Sequence, residues 1–500
     1  MIMKINRRQF ITLGMTGLGT ALAANWVLSS QRYSTAILPS IALSQRHNSS
    51  EGLLELDLEA GEHSINLAGK TAKLMTYNGQ IPGPRLEVQP GDTVRINFTN
   101  NLSQPTNIHY HGLHIPITGN ADNVFLHIPS GERFSYEFNI AKNHPAGLFW
   151  YHPHLHGLVA EQLFGGLAGL FVVRGKLDEI PEIKAATEQF VVLQDFALDN
   201  RGNRLSDSQL SIMTGREGNV ITVNGEVNPN FTIPNGKLLR LRILNASPSR
   251  FYQLSLENHP FYLIATDGGA LSKPVELTEL LLTPGERADI LIQPSQEAGQ
   301  YRLLNLPYQR GGMGMMGGGM MGGGMMGRGR GMMGGGMMGN NFEDESQVLA
   351  TVSYQTPATP TLPTQLIPVD PLPAAQQMRR FQMNHGMIRG QGMVFLFNGQ
   401  PYQSERIDTS VQLNTVEDWE LVNTGMMDHP FHVHGNAFQV ISRNGQPEPY
   451  PAWKDVTLVK PGETVVIRMA FRDFTGKTVY HCHILDHEDL GMMANLEIKA

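Results

Sequence analysis

Short runs in which apolar and polar residues alternate recur along the chain, as in Thr93-Val-Arg-Ile-Asn-Phe98, Leu238-Leu-Arg-Leu-Arg-Ile243 and Thr464-Val-Val-Ile-Arg-Met469. A period of two puts successive side chains on opposite faces, so each run predicts a β-strand with one face against a core. Turn signals separate the runs: Pro90-Gly91-Asp92, Pro284-Gly285-Glu286 and Pro461-Gly462-Glu463. A helical pattern is confined to residues 159–164. Many short strands joined by Gly/Pro turns predict an all-β protein built of β-sandwiches.

The turn-and-strand phrase repeats, which predicts repeated domains. Residues 92–112, ending in His109-Tyr-His111-Gly112, echo residues 418–435, which end in His429-Pro-Phe-His432-Val-His434-Gly435. His152-Pro-His154 follows the first phrase and His481-Cys-His483 follows the second. The middle copy, with Arg242-Ile-Leu-Asn245 and Ala265-Thr-Asp-Gly-Gly269, has no such pair and reads as a spacer. The expected division is a leader over 1–50, a first domain over 51–180, a second over 181–355, a Pro-rich linker over 356–376 and a third domain over 377–500. Three domains suit a chain of 500 residues. Within the second lies 311–339, which contains only glycine, methionine and the arginines Arg328 and Arg330. That composition predicts no packed core, and no Gly-Lys-Ser/Thr follows to make it a phosphate loop.

Charge narrows the function. The formal net charge is −7 with no basic stripe, which excludes nucleic acid as the partner. Arg7-Arg8-Gln-Phe10, followed by a mildly apolar run, resembles a twin-arginine export signal, cleaved between Ala24 and Ser50. A periplasmic location is expected, with no membrane attachment after cleavage, because no other segment is long and apolar enough to cross.

The chain has one cysteine, Cys482, in an exported protein where a lone thiol is a hazard unless something occupies it. It has eighteen histidines, ten of them in four clusters. On a strand, residues i and i+2 face the same way, so each His-X-His aims two imidazoles at one side. Four pairs, His109/His111, His152/His154, His432/His434 and His481/His483, supply eight imidazoles from two related domains. Alternation turns Cys482 to the opposite face from its two neighbours, toward a second metal. His429, Cys482, His487 and Met492 then form the two-imidazole, one-thiolate, one-thioether set of a blue-copper electron-transfer site. Zinc, the chemical rival, is redox-inert and prefers a closed tetrahedron.

These motifs, with Asn78-Gly-Gln-Ile-Pro-Gly-Pro84 near the start and His481-Cys-His-Ile-Leu-Asp-His487-Glu-Asp-Leu-Gly-Met492 at the end, resemble the three-domain multicopper oxidases: laccases, bilirubin oxidases and bacterial cuprous oxidases. The resemblance implies three consecutive cupredoxin-like Greek-key sandwiches and four copper ions. It implies that His429, Cys482, His487 and axial Met492 bind one type 1 copper, and that His109 and His432 bind one type 2 copper. His111, His152, His154, His434, His481 and His483 would bind two type 3 coppers. Tyr110 stands where tryptophan is frequent, facing away from the metals. Four coppers would hold the four electrons that reduce dioxygen to two waters. Electrons would enter near His429, whose outer edge is expected to lie close to solvent. Glu488 and Asp122 match acidic residues that relay protons in the family. His156 extends one pair but is in excess of the ten ligands and reads as structural.

The electron donor is expected to be small and the enzyme to act as a monomer. Soft thioethers suit Cu(I). Met426 and Met427 precede His429, and the Gly/Met segment adds Met313, Met315, Met316, Met320 and Met321. This predicts a cuprous oxidase that converts Cu(I) to less toxic Cu(II). Against it, cuprous oxidases tend to carry aspartate where Gly425 stands, with Asp428 displaced. The alternatives are a laccase-like oxidase of phenols or aromatic amines, and a copper-binding cupredoxin without turnover.

Overall fold

The computed structural model describes residues 45–310, 345–388, 390 and 392–500. The export signal and Met313, Met315, Met316, Met320 and Met321 lie outside the described residues.

Six sheets build three sandwiches in chain order. Alternation explains the strands. In Thr93–Asn100, Val94, Ile96 and Phe98 turn into the first core while the residues between them face outward. In Thr464–Phe471, Val465, Ile467, Met469 and Phe471 do the same in the third. Each such side chain contributes about 1.5–3 kcal/mol on leaving water.

The repeat is visible in the pairing. Each sandwich has a parallel pair at its start: Leu53 beside Thr93, Thr187 beside Leu239, and Gln377 beside Glu417. Each continues with an antiparallel partner, as in Thr93 opposite Asn139, Leu239 opposite Ile292 and Thr415 opposite Phe471.

One strand departs from expectation. Leu239–Asn245 is buried on both faces, Arg240 and Arg242 included. Its arginine face meets Asp178, Glu188 and Asp289, and Arg242 lies over the Phe190 ring. The polar half of the alternation here marks a covered ion-pair network, not solvent.

The histidine pairs sit on, or run just past the ends of, strands that meet edge to edge; His154, His434 and His483 each lie beyond the strand end. His109–His111 runs antiparallel to Gly147–His152, with His109 opposite His152. His429–Val433 runs antiparallel to Gly476–Cys482, with His432 opposite His481 and Phe431 opposite Cys482. The short helix expected over 159–164 is present as Val159–Phe164. A second short helix, Leu485–Asp489, follows the cysteine strand and carries His487 and Glu488. Between the second and third sandwiches the chain has no strand from residue 355 to 376. Among the described residues no helix is long and apolar enough to cross a membrane.

Candidate metal centre

The first and third sandwiches bring their eight paired imidazoles together, none more than 2% exposed. Two triads cross between the sandwiches: His111, His152 and His483, and His154, His434 and His481. Each offers three nitrogens within 4.8 Å of one another, as do His109, His111 and His432. The strand register relates these sets by a pseudo-twofold. Matching His109 with His432, His111 with His434, His152 with His481 and His154 with His483 turns one triad into the other. The ring stacks obey the same swap: His109 lies on His434 with centroids 3.8 Å apart, and His111 on His432 at 3.9 Å.

One nitrogen of several rings is held from behind. His109 Nδ1 is 2.8 Å from Asp122 Oδ1, and His432 Nδ1 donates to the Asp455 carbonyl oxygen at 2.7 Å. His111 Nε2 is 3.0 Å from Asp455 Oδ1. His152 Nδ1 and His481 Nδ1 donate to the carbonyl oxygens of Pro153 and Cys482. The opposite nitrogens, His109 Nε2, His432 Nε2, His111 Nδ1 and His152 Nε2, are buried with no protein partner. In the remaining triad His154 Nε2 and His434 Nε2 lie 3.2 and 3.0 Å from His481 Nε2. Burial, then repulsion between neighbouring rings, holds His109, His434 and His483 well below the ordinary imidazole range; burial brings His154 to about 4. These are neutral rings with lone pairs turned on one another. Each unmet buried group costs about 1–3 kcal/mol, which a shared cation removes. The donor set therefore fits bound metal.

Cys482 faces away from this cluster. Its Sγ lies 3.5 Å from His429 Nδ1 and 3.8 Å from His487 Nδ1. Met492 is buried beside them; its N–H donates to the His487 carbonyl and its carbonyl accepts from Cys482 N–H. Burial pushes the Cys482 thiol up, so a thiolate here requires a bound cation. Thiolate and thioether with two imidazoles select copper. The expectation that His429 borders solvent does not hold: His429 and His487 are both 0% exposed. Phe395 stacks on His487 at 3.8 Å and stands edge-on to His429, and Met427 is packed into the same core. Met426 is 44% exposed. Tyr110 lies within the first core against Tyr136 and Phe138, away from the imidazoles' meeting point.

Both expected carboxylates reach the cluster. Glu488 is fully buried, with Oε2 3.1 Å from His481 Nδ1 and Oε1 3.6 Å from His154 Nε2. These are close approaches rather than aligned hydrogen bonds, since His481 Nδ1 donates to the Cys482 carbonyl. Burial raises the Glu488 carboxyl, but His154 and His481 outweigh burial and hold it below its usual range. Burial pushes Asp122 up to about 8, against the Tyr110 N–H that it accepts; a cation at His109 would pull it back down. Asp455 and Arg287 are site residues that the sequence did not mark. His156 belongs to none of the ring triads described above and stands edge-on to Tyr402. A cavity of about 560 Å³, lined by His156, Tyr402, Val124 and Met493, reaches His154.

Family models described as multicopper oxidase match residues 59–178, 186–316 and 370–500. A solved multicopper oxidase from Campylobacter jejuni, described as a metallo-oxidase, is 32% identical, with a TM-score of 0.79 over 93% of this chain and 95% of that one. The multicopper oxidase mco of Staphylococcus haemolyticus is 29% identical over 480 residues, 94% of each chain. The cell division protein FtsP of Photorhabdus laumondii is 28% identical over 514 residues, covering 99% of this chain and 98% of that protein.

Proposed function

The chain belongs to the multicopper oxidases, and from that premise we propose that it couples one-electron oxidation of a small donor, Cu(I) foremost, to four-electron reduction of dioxygen to water. The observation that carries this reading is the complete donor set, buried and turned inward in two adjoining groups. His429, Cys482, His487 and Met492 would hold type 1 copper; His109 and His432 type 2; His111, His152 and His483, and His154, His434 and His481, the type 3 pair. Copper at these positions would supply one-electron redox steps and a Lewis-acidic pocket for dioxygen.

The protein's own residues do the rest. Cys482, flanked by His481 and His483, ties the two groups by a few covalent bonds. Glu488, touching His154 and His481, is placed to hand protons to the reacting oxygen, with Asp122 behind His109 as the second carboxylate. The cavity ending at His154 gives dioxygen a way in.

Three features favour Cu(I) as donor. Both imidazoles beside Cys482 are buried, which suits a small ion better than a bulky phenol. Met426 is exposed just before His429, and Met427 is buried in the same core as Cys482 and Met492. The described residues that precede the Gly/Met segment are held close by: Tyr308 donates to Asp428 Oδ2 at 3.1 Å, and Arg310 pairs with Glu217 at 2.6 Å. Its methionines would collect Cu(I). Export by the twin-arginine route to the periplasm, where copper is handled, completes the reading.

The test is oxygen uptake with Cu(I) and with a phenol, on the full chain and on a chain lacking 311–339. Cu(I) oxidation is expected to fall on deletion while phenol oxidation holds or rises. The reverse result favours the laccase-like reading. Copper-loaded protein that consumes no oxygen with either donor rejects an oxidase and leaves a copper-binding protein without turnover.

A further inference from the structure

The middle sandwich carries no ligand, yet one of its side chains reaches the rear of the metal cluster. Arg287, 1% exposed, opens the strand Arg287–Ile292. All five of its guanidinium N–H donors have acceptors. Nε donates to the carbonyl of Leu148, on the strand that carries His152. Nη1 donates to the Gly285 carbonyl and Nη2 to the Asp267 carbonyl, both in the middle sandwich. Nη1 and Nη2 also grip the two carboxylate oxygens of Asp455, in the third sandwich, at 2.6 and 2.5 Å. Asp455 in turn holds His111 Nε2 by Oδ1 and His432 Nδ1 by its carbonyl. One guanidinium thus joins three sandwiches and stands one residue removed from two imidazoles of the cluster.

The surroundings are shaped to admit it. At Gly112, directly after His111, a Cβ would lie 2.4 Å from Arg287 Nη2 and 2.5 Å from Asp455 Oδ2. At Gly285 a Cβ would lie 2.8 Å from His483 Nε2. Both glycines have positive φ. They let the pair and the turn close directly onto the imidazoles.

We propose that Arg287 is a positioning residue: by clamping Asp455 it fixes the orientation and tautomer of His111 and His432, so that docking of the middle sandwich completes the copper cluster. A partner that orients a ligand imidazole is worth about 10–100-fold in metal affinity. The proposal rests on the copper reading above.

The experiment uses the full chain loaded with copper: wild type, Arg287→Met, Arg287→Lys and Arg240→Met. The last removes an equally buried arginine of the same sandwich that pairs with Asp289 away from the cluster. Copper per chain after chelator challenge, the type 2 paramagnetic resonance signal and the blue thiolate band are measured with the melting temperature. Arg287→Met is expected to release type 2 copper about 10–100-fold more readily while keeping the blue band. Arg287→Lys, charged but unable to grip both oxygens, is expected to fall between it and wild type. Arg240→Met is expected to melt lower but keep its type 2 signal. The proposal is overturned if Arg287→Met retains type 2 copper as firmly as wild type, or if Arg240→Met loses it to the same extent as Arg287→Met. It is equally overturned if both Arg287 variants lose the blue band as well, which would make the arginine a general strut. A wild type that holds no copper removes the copper reading and this inference together; wild-type copper beside an unaffected variant sinks the inference alone.

Discussion

The first and third sandwiches present the same two histidine motifs at corresponding strands and strand ends, related by a swap that preserves triads and ring stacks. They differ at the positions between and behind the imidazoles. Between His152 and His154 stands Pro153; between His481 and His483 stands Cys482. The same opposite-facing place therefore carries nothing in one sandwich and a metal donor in the other. Behind His109 is a carboxylate of its own sandwich, Asp122; behind His432 is the backbone of Asp455, whose carboxylate is gripped from the middle sandwich. Seven residues beyond His481 stands Glu488, whereas seven beyond His152 stands Val159. Symmetry builds the cluster, and under the proposed function its breaks would supply electron entry, proton delivery and coupling between sandwiches.

Unequal support predicts unequal damage. Asp455→Asn removes the carboxylate that grips the buried Arg287, leaving only the more distant Asp267 at 3.8 Å, and is expected to cost about 3 kcal/mol. Asp122→Asn keeps an acceptor for His109 and Tyr110 and is expected to cost about 1 kcal/mol. Urea midpoints of the metal-free proteins decide this, and equal losses would erase the asymmetry. Glu488→Gln cannot carry a proton and is expected to slow oxygen consumption about 100-fold, or about 2.7 kcal/mol in barrier. Unchanged turnover would remove Glu488 from the proton path.

A smaller effect belongs to the first sandwich alone. His144 is buried; its Nδ1 donates to the Pro145 carbonyl and its Nε2 accepts the His114 N–H. Burial lowers it to about 4. The unfolded imidazole, near 6.5, then takes up a proton before the folded one. Its stabilisation is complete above pH about 6.5 and is lost as pH falls toward 4, by about 2 kcal/mol at pH 5. The difference in melting temperature between wild type and His144→Gln should narrow over that range. A difference independent of pH contradicts the assignment.

Much of this was legible along the chain. Period-two alternation located Thr93–Asn100 and Thr464–Phe471, and the spacing of His109, His152, His432 and His481 marked the strands that meet. What was hidden depends on contacts between sandwiches. Arg240 and Arg242 alternate like residues on a solvated face and are buried because another domain covers them. Asp455 touches Arg287 across 168 residues and His111 across 344, separations that leave no local pattern. His429 lost its expected solvent edge to Phe395, from a hairpin more than thirty residues earlier.

The junction at residues 481–483 sets a fixed gauge between the two proposed copper centres. Loosening of the sandwiches can pull His109, His111, His152 and His154 away from their partners, but it cannot lengthen the chain between a cysteine and the next residue. A molecule whose first sandwich has slipped would still take electrons from its donor. It would then hold them with no acceptor assembled, so loss of domain contact would appear as a persistently reduced, bleached centre before it appeared as unfolding.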